Sequence, residues 1–329
     1  MRPYDSIIAD GFSFMKSRVI LTGAELDLFT KIDEKPSTAK ELTDTLQFDL
    51  RATTRILDCL VSLGLLEKQN NQYHTTEKGA FLSSRHPETV LHMVHHLNRL
   101  WDGWSHLTET VKKGSRRRRK YKEIDETSRE SFIEAMHIIG RSLSFEIADA
   151  YDVSRFKRML DIGGASGTYT IAFLRKNPNM KAMLFDLKNV IPTARKRLKA
   201  EGLYDRVKCV AGDFYKDELP EGCDLAVLSA IIHQNSIKEN VELFLKVYRA
   251  LEPGGVILIR DHIMDEYRTK PPAGTLFALN MLINTRGGDT YTFREVGDAL
   301  IKAGFVDVKL LRTGERMDCL VEARKSVNP

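Results

Sequence analysis

Lys157-Arg-Met-Leu-Asp-Ile-Gly-Gly-Ala-Ser-Gly167 reads as a buried strand running straight into a glycine turn. Met159, Leu160 and Ile162 form its apolar run. Asp161 stands at the carboxyl end, where an open α/β sheet places its ligands, and Gly163, Gly164 and Gly167 permit close backbone approach to a bound molecule. Thr168 to Lys176 is the helix that follows, with its first N–H groups facing that molecule. Alone, the cluster admits any nucleotide-like ligand, or a tight turn that binds nothing.

Downstream, strands and helices alternate. Lys181 to Asp186 is a second strand, with Val190 to Ala200 its helix, and Val207 to Asp213 a third. Cys223 to His233 is a fourth, Ser236 to Leu251 its helix, and Val256 to Asp261 a fifth. Such alternation predicts a parallel sheet with helices on both faces, each strand ending on a polar residue at one rim. Gly304 to Arg312 and Met317 to Ala323, joined by Thr313-Gly-Glu-Arg316, read as a terminal hairpin.

Upstream, Asp5 to Ile20 is apolar enough for a helix that packs against something, such as a partner subunit. Ser37 ahead of Glu41 is a helix start, and Leu50, Ile56, Leu57, Leu60, Val61 and Leu63 keep a helical period up to Gly64. Asn70-Asn71 marks the turn of a short hairpin. Two short helices, a longer one and a wing make a winged helix. Its longer helix mixes Arg51 and Arg55 with Asp49 and Asp58, which is poor material for phosphate contacts, so a scaffolding or dimerising role is expected over DNA reading. Residues 88 to 113 read as one long helix bearing His92, His95, His96 and His106, for which packing and surface positions are expected over a metal set. Thr127 to Ala150 reads as another.

Composition bounds the rest. A chain of 329 residues suits about two domains, and 42% hydrophobic with 29% charged residues is ordinary for a globular protein. No apolar run spans a bilayer and the N-terminus lacks a signal-peptide core, so the cytoplasm is expected and no membrane partner. Cys59, Cys209, Cys223 and Cys319 lack C-x-x-C spacing, which argues against a zinc site or a disulfide framework. The net charge of +5 is uneven, with basic residues crowded from Lys112 to Lys122, a block expected to be an exposed, solvated connection, though able to attract an anionic substrate, a nucleic acid or a membrane surface.

Several ordered motifs together carry a resemblance. Leu160-Asp-Ile-Gly-Gly-Ala-Ser-Gly, Phe185-Asp-Leu, Ala211-Gly-Asp-Phe, Leu228-Ser-Ala-Ile-Ile-His-Gln-Asn and Leu279-Asn-Met-Leu-Ile-Asn-Thr-Arg-Gly-Gly, with the closing hairpin, resemble the class I S-adenosylmethionine-dependent O-methyltransferases of the caffeate and hydroxyindole type. The resemblance implies an α/β, Rossmann-like methyltransferase domain with a mixed sheet at 156–329, an all-α winged-helix dimerisation domain at 1–85 and a helical linker at 86–155. It implies S-adenosylmethionine as cofactor, S-adenosylhomocysteine as product, a small aromatic or conjugated hydroxyl substrate, and a homodimer.

By that resemblance Asp161, Gly163, Gly164, Gly167, Asp186, Leu187, Asp213, Phe214 and Ser229 hold the cofactor. Asp186, 23 residues after Gly163, suits the ribose hydroxyls; Asp213 suits the adenine amino group and Phe214 its ring. His233 is the expected general base and Asp261 its orienting partner. Met136, Asn280, Met281 and Asn284 are expected to line the substrate pocket. The chain departs from the family pattern at His233-Gln-Asn, where His-Asp-Trp is usual, and at Thr290, where plant members carry a second acid. The departures keep two other readings open: altered chemistry on the same fold (C-methylation, hydroxylation or decarboxylation), or a cofactor-sensing regulator that uses the winged helix.

Overall fold

A computed structural model describes residues 2–114 and 126–327. The chain divides into two compact units, Met1–Asp102 with Thr127–Ile138, and Gly103–Glu126 with Ile139–Pro329.

The first unit opens with α1 (Pro3–Glu25), α2 (Leu28–Glu34), α3 (Ala39–Leu46) and α4 (Leu50–Ser62). The wing, β1 (Leu66–Gln69) and β2 (Gln72–Thr75), follows, then α5 (Glu77–Ala80) and α6 (Leu91–Trp104), of which residues 91–102 fall in this unit and Gly103 and Trp104 in the second. Its core is built on Leu28, Phe29, Ile32, Leu57, Leu60 and Tyr73. α3 starts one residue later than the sequence predicts. Thr38 is the cap, accepting from Glu41 N while Glu41 accepts from Thr38 N at 2.7 Å. Ser37 is unavailable because its backbone bridges to Tyr73 in the wing. Asp49 caps α4, and Asn70 and Asn71, both at positive φ, turn the hairpin in the twist that two-residue loops favour. α1 changes along its length: Leu21 and Ala24 are buried, whereas Ile7, Ile8, Phe12, Phe14 and Met15 are exposed.

The long helix predicted over 88–113 is two helices. α6 ends at Trp104 and α7 (Leu107–Lys113) begins after His106, whose φ of −104° and ψ of 11° break the helical path. His92 lies against Ser131 and His96 packs on the Phe132 ring, so these histidines serve packing within the first unit. Lys112 and Lys113 pair with Glu109, and the arginines of the basic block, Arg116 to Arg119, lie outside the described residues. Among the described residues no helix is long and apolar enough to cross a membrane.

The second unit carries a seven-stranded sheet. After α7 and the C-terminal part of α8 (Glu126–Ala150) come β3 (Arg158–Ile162), α9 (Thr168–Lys176), β4 (Lys181–Asp186), α10 (Ile191–Ala200), β5 (Val207–Ala211), β6 (Cys223–Ser229) and α11 (Ile237–Ala250). Then come β7 (Leu251–Asp261), β8 (Ile263–Met264), α12 (Pro272–Asn284), β9 (Tyr291–Thr292), α13 (Phe293–Lys302), β10 (Phe305–Arg312) and β11 (Cys319–Lys325). The order is β10-β11-β7-β6-β3-β4-β5, with β11 antiparallel to both neighbours and the rest parallel, as the terminal hairpin predicts.

Strand alternation sends Ile257 and Ile259 to the face covered by α11 and α13. Val256 and Leu258 go to the face covered by α8, α9 and α10. The uniform polar rim is only partly realised, because β3 ends on Ile162 and β5 on Ala211. β5 stops short of Asp213 at Gly212, where a Cβ would lie 2.4 Å from the Phe185 ring. β6 stops at Ser229 because Ala230 takes φ 59° and turns the chain out of the sheet.

Candidate active site

His233 stands on a single 3-10 turn, Ile232–Gln234, just past β6. The turn is fastened from three sides. Asn240 Nδ2 donates to Ile232 O at 2.9 Å, Asp289 N donates to His233 O at 2.9 Å, and Tyr291 Oη donates to Asn235 O at 2.5 Å. Fully buried Asn235 also accepts from Tyr215 Oη at 2.5 Å and donates to Asn240 Oδ1 at 3.0 Å. The departure at position 235 thus has a structural use, since its amide knits the turn that carries His233.

His233 Nδ1–H faces both Asp261 oxygens at 3.0 Å. Burial pushes the Asp261 carboxyl up, but the charge and hydrogen bond of His233, the charge of Arg260 and the His262 N–H together outweigh it, leaving it below the usual range. An anionic Asp261 fixes the Nδ1–H tautomer, so Nε2 is left as an acceptor. The Phe277 ring of α12 meets the imidazole edge-on at 4.9 Å, and His262 lies 5.2 Å from the same ring.

The glycine turn lies between β3 and α9. Gly163 and Gly167 take φ of 70° and 81°, open to glycine at little cost. Added Cβ atoms would also meet protein: Ile231 at 2.6 Å from Gly163, and Asp161 and Leu184 at 2.9 Å from Gly164. The turn's own conformation and packing therefore favour glycine here, whatever lies above it. Asp161 is buried and accepts from Thr170 Oγ1 at 2.6 Å; burial first, with the Asp186 charge adding, pushes its carboxyl up to about 6 against the opposing Thr170 bonds. Asp186 accepts from Ala165 N and Leu187 N, both at 2.7 Å, which occupies about half of a carboxylate's lone-pair positions.

Asp213 accepts from Tyr215 N at 3.0 Å and pairs with Lys216, while Phe214 packs on the core face and lies 3.8 Å from the Cβ position of Gly163. Ser229 Oγ accepts from Arg260 Nε at 3.0 Å. The ends of β3, β4, β5, β6 and β7 thus bring the predicted cofactor residues, His233 and Asp261 to one rim of the sheet.

On α12, Asn280 Oδ1 accepts from Trp104 Nε1 at 3.1 Å and from Asn284 Nδ2 at 2.9 Å, and Met281 is buried. Met136 is half-buried in the part of α8 assigned to the first unit. Sequence reasoning passed over Tyr169, Arg260, His262, Phe277 and Trp104. A signal existed for one of them: Arg260 is a charge inside the apolar run of a parallel strand. An open groove of about 450 Å³ in the first unit, lined by Arg18, Arg51 and Arg55 among others, holds none of the predicted residues.

Residues 104–306 match the O-methyltransferase domain family, and residues 10–85 match the O-methyltransferase dimerisation domain. The chain belongs to the O-methyltransferase family. Among its relatives is the tetracenomycin polyketide synthesis 8-O-methyl transferase TcmO of Streptomyces glaucescens, 30% identical over 90% of each chain. Acetylserotonin O-methyltransferase of Gallus gallus is 28% identical over 94% of each chain. Human N-acetylserotonin methyltransferase, solved in complex with SAM, superposes with a TM-score of 0.84 at 26% identity, covering 99% of this chain and 98% of that one.

The O-methyltransferase is S-adenosylmethionine-dependent, and the rim chemistry fits that cofactor. Asp186 keeps lone pairs for a vicinal diol, Phe214 offers a ring face for a base, and the buried Asp161 carboxylate lacks a cationic partner among the described residues.

Proposed function

We propose that the enzyme methylates a hydroxyl of a small aromatic or conjugated compound, with His233 as general base and Asp261 as its orienting partner. The observation that carries this reading is the His233 Nδ1–Asp261 pair on the rim, with Nε2 left to accept a proton. Bound S-adenosylmethionine supplies an electrophilic methyl group on a sulfonium. His233 Nε2 draws the proton from the substrate hydroxyl as its oxygen becomes nucleophilic, and anionic Asp261 stabilises the imidazolium that forms. A base of this kind contributes about 10² to 10⁴ in rate, and alignment of the reacting groups contributes about 7 to 11 kcal/mol in favourable cases.

In this reading Asp186 and Leu187 hold the ribose, Asp213 and Phe214 the adenine, and Asp161, Ser229 and the turn from Gly163 through Gly164 to Gly167 the amino-acid tail. Asn280, Met281 and Asn284 line the acceptor pocket. The polyketide and indole compounds named for the relatives support a flat, conjugated acceptor. Residues 1–85 form the dimerisation domain, 86–155 a helical linker and 156–329 the catalytic domain. The exposed apolar side chains of α1 suit a homodimer, since single-chain proteins rarely leave such a stripe uncovered. Four free cysteines suit the cytoplasm.

The test is incubation with methyl-labelled S-adenosylmethionine and a panel of phenols, naphthols and hydroxyindoles. Label on oxygen of at least one acceptor is the expected result. Label found only on carbon, or an acceptor changed without label, would point to altered chemistry on this fold.

A further inference from the structure

β7 carries a guanidinium where a parallel strand ordinarily carries only apolar side chains. Arg260 is 6% exposed. It lies on the α9 side of the sheet, its guanidinium 5.0 Å from the centre of the Tyr169 ring. Nε donates to Ser229 Oγ at 3.0 Å and Nη1 to Met317 O at 2.9 Å, which uses two of its five N–H groups. Both acceptors are neutral, and among the described residues no carboxylate pairs directly with the guanidinium, although its charge acts on the adjacent Asp261. A buried cation of this kind calls for an anion.

A second, independent observation lies beside it. The Tyr169 hydroxyl is buried and has no well-placed acceptor, although Ser229 lies close enough to act on it. Buried phenol groups almost always find a partner, so this donor also lacks an acceptor. Both groups sit at the sheet edge described above. Tyr169 is the second residue of α9, directly after the glycine turn, and Ser229 closes β6. Asp161 is on the same face of the sheet, where it accepts from Thr170 of α9. One face of the rim therefore presents a buried acid and, beyond it, a buried base with a spare hydroxyl. That is the complement of a zwitterionic amino acid.

We propose that Arg260, aided by Tyr169, is the carboxylate subsite for the amino-acid tail of the cofactor. The assignment rests on the reading that this tail runs past the glycine turn with its ammonium group toward Asp161. The carboxylate accepts from the remaining guanidinium N–H groups and from the Tyr169 hydroxyl, while Ser229 and Met317 O hold the guanidinium in place. Charge-assisted, paired bonds of this type are the strong ones.

Isothermal titration of the full chain with S-adenosylhomocysteine and with 5′-methylthioadenosine, which keeps the nucleoside and thioether but lacks the tail, separates the two readings. If neither ligand binds the unaltered protein, the cofactor site itself is misplaced. If both bind, Arg260→Met should weaken S-adenosylhomocysteine by about 10- to 100-fold and leave 5′-methylthioadenosine unchanged. Tyr169→Phe should weaken the former by a few-fold only. Equal losses for both ligands, or none for either, would overturn the assignment, including the case in which Arg260 serves a carboxylate on the acceptor instead. Should Arg260→Met not fold, the unaltered protein still decides. The methyl ester of S-adenosylhomocysteine should bind about 10- to 100-fold more weakly than the free acid, and equal binding would refute the proposal.

Discussion

Asp161→Asn should stabilise the ligand-free protein, and only above a definite pH. An unfolded aspartate ionises near pH 4, whereas in the fold burial holds the Asp161 proton up to about 6. Between those values the folded state binds the proton more tightly than the unfolded one. The residue therefore favours folding below about pH 4, and that contribution is lost as the pH rises through 6. About two pH units at about 1.4 kcal/mol each come to about 3 kcal/mol at pH 7.5 relative to pH 4.

Asparagine has the same shape, keeps an oxygen to accept from Thr170 Oγ1, and carries no charge to desolvate. In differential scanning calorimetry of the full chain, the transition of the second unit should rise by about 5 to 10 °C at pH 7.5 and by little at pH 4. The same replacement should weaken S-adenosylhomocysteine by about tenfold or more, because the ammonium group loses its anion. A gain that is equal at both pH values, or a loss at pH 7.5, would show that burial of this charge is not what the fold works against.

Two further replacements address the histidine. Asp261→Asn keeps the shape but removes the charge that fixes the imidazole, and single-turnover methyl transfer should fall by at least about tenfold, toward the about 10² to 10⁴ carried by the base, with S-adenosylhomocysteine affinity unchanged; an unaltered rate would mean that the pair is structural. Asn235→Ala strands the partners of a buried amide and should cost about 1 to 3 kcal/mol in urea unfolding, whereas a neutral effect would mean that the turn is held by its other bonds.

Much of the catalytic unit was legible because its signals are local. The helix over Thr168 to Lys176 and the strand over Lys181 to Asp186 have the predicted bounds, since apolar runs ending at glycine or aspartate leave little room for another reading. The antiparallel closing strand followed from one turn, Thr313-Gly-Glu-Arg316. Strand ends were less legible. β5 ends before Asp213, at a glycine packed close against the Phe185 ring of the neighbouring strand, and β6 ends before His233, where an alanine takes a positive φ. The break between α6 and α7 has no proline to announce it, and Gly103 lies inside the last turn of α6, not after it. The role of Asn235 was hidden for the same reason, because Tyr215, Asn240 and Tyr291 reach it from other elements. Arg260 was in plain view as a charge in an apolar strand, but its want of an anion appears only once Tyr169 and Ser229 are placed around it.

The most direct test of the account is the single-turnover rate of methyl transfer by His233→Ala, followed across pH on an acceptor that the labelling panel identifies. The account predicts a fall of about 10² to 10⁴ near neutral pH with S-adenosylhomocysteine affinity intact, recovering as the pH approaches the pKa of the acceptor hydroxyl, where hydroxide does the work of the base. An unchanged rate at neutral pH, with the cofactor still bound, would contradict it.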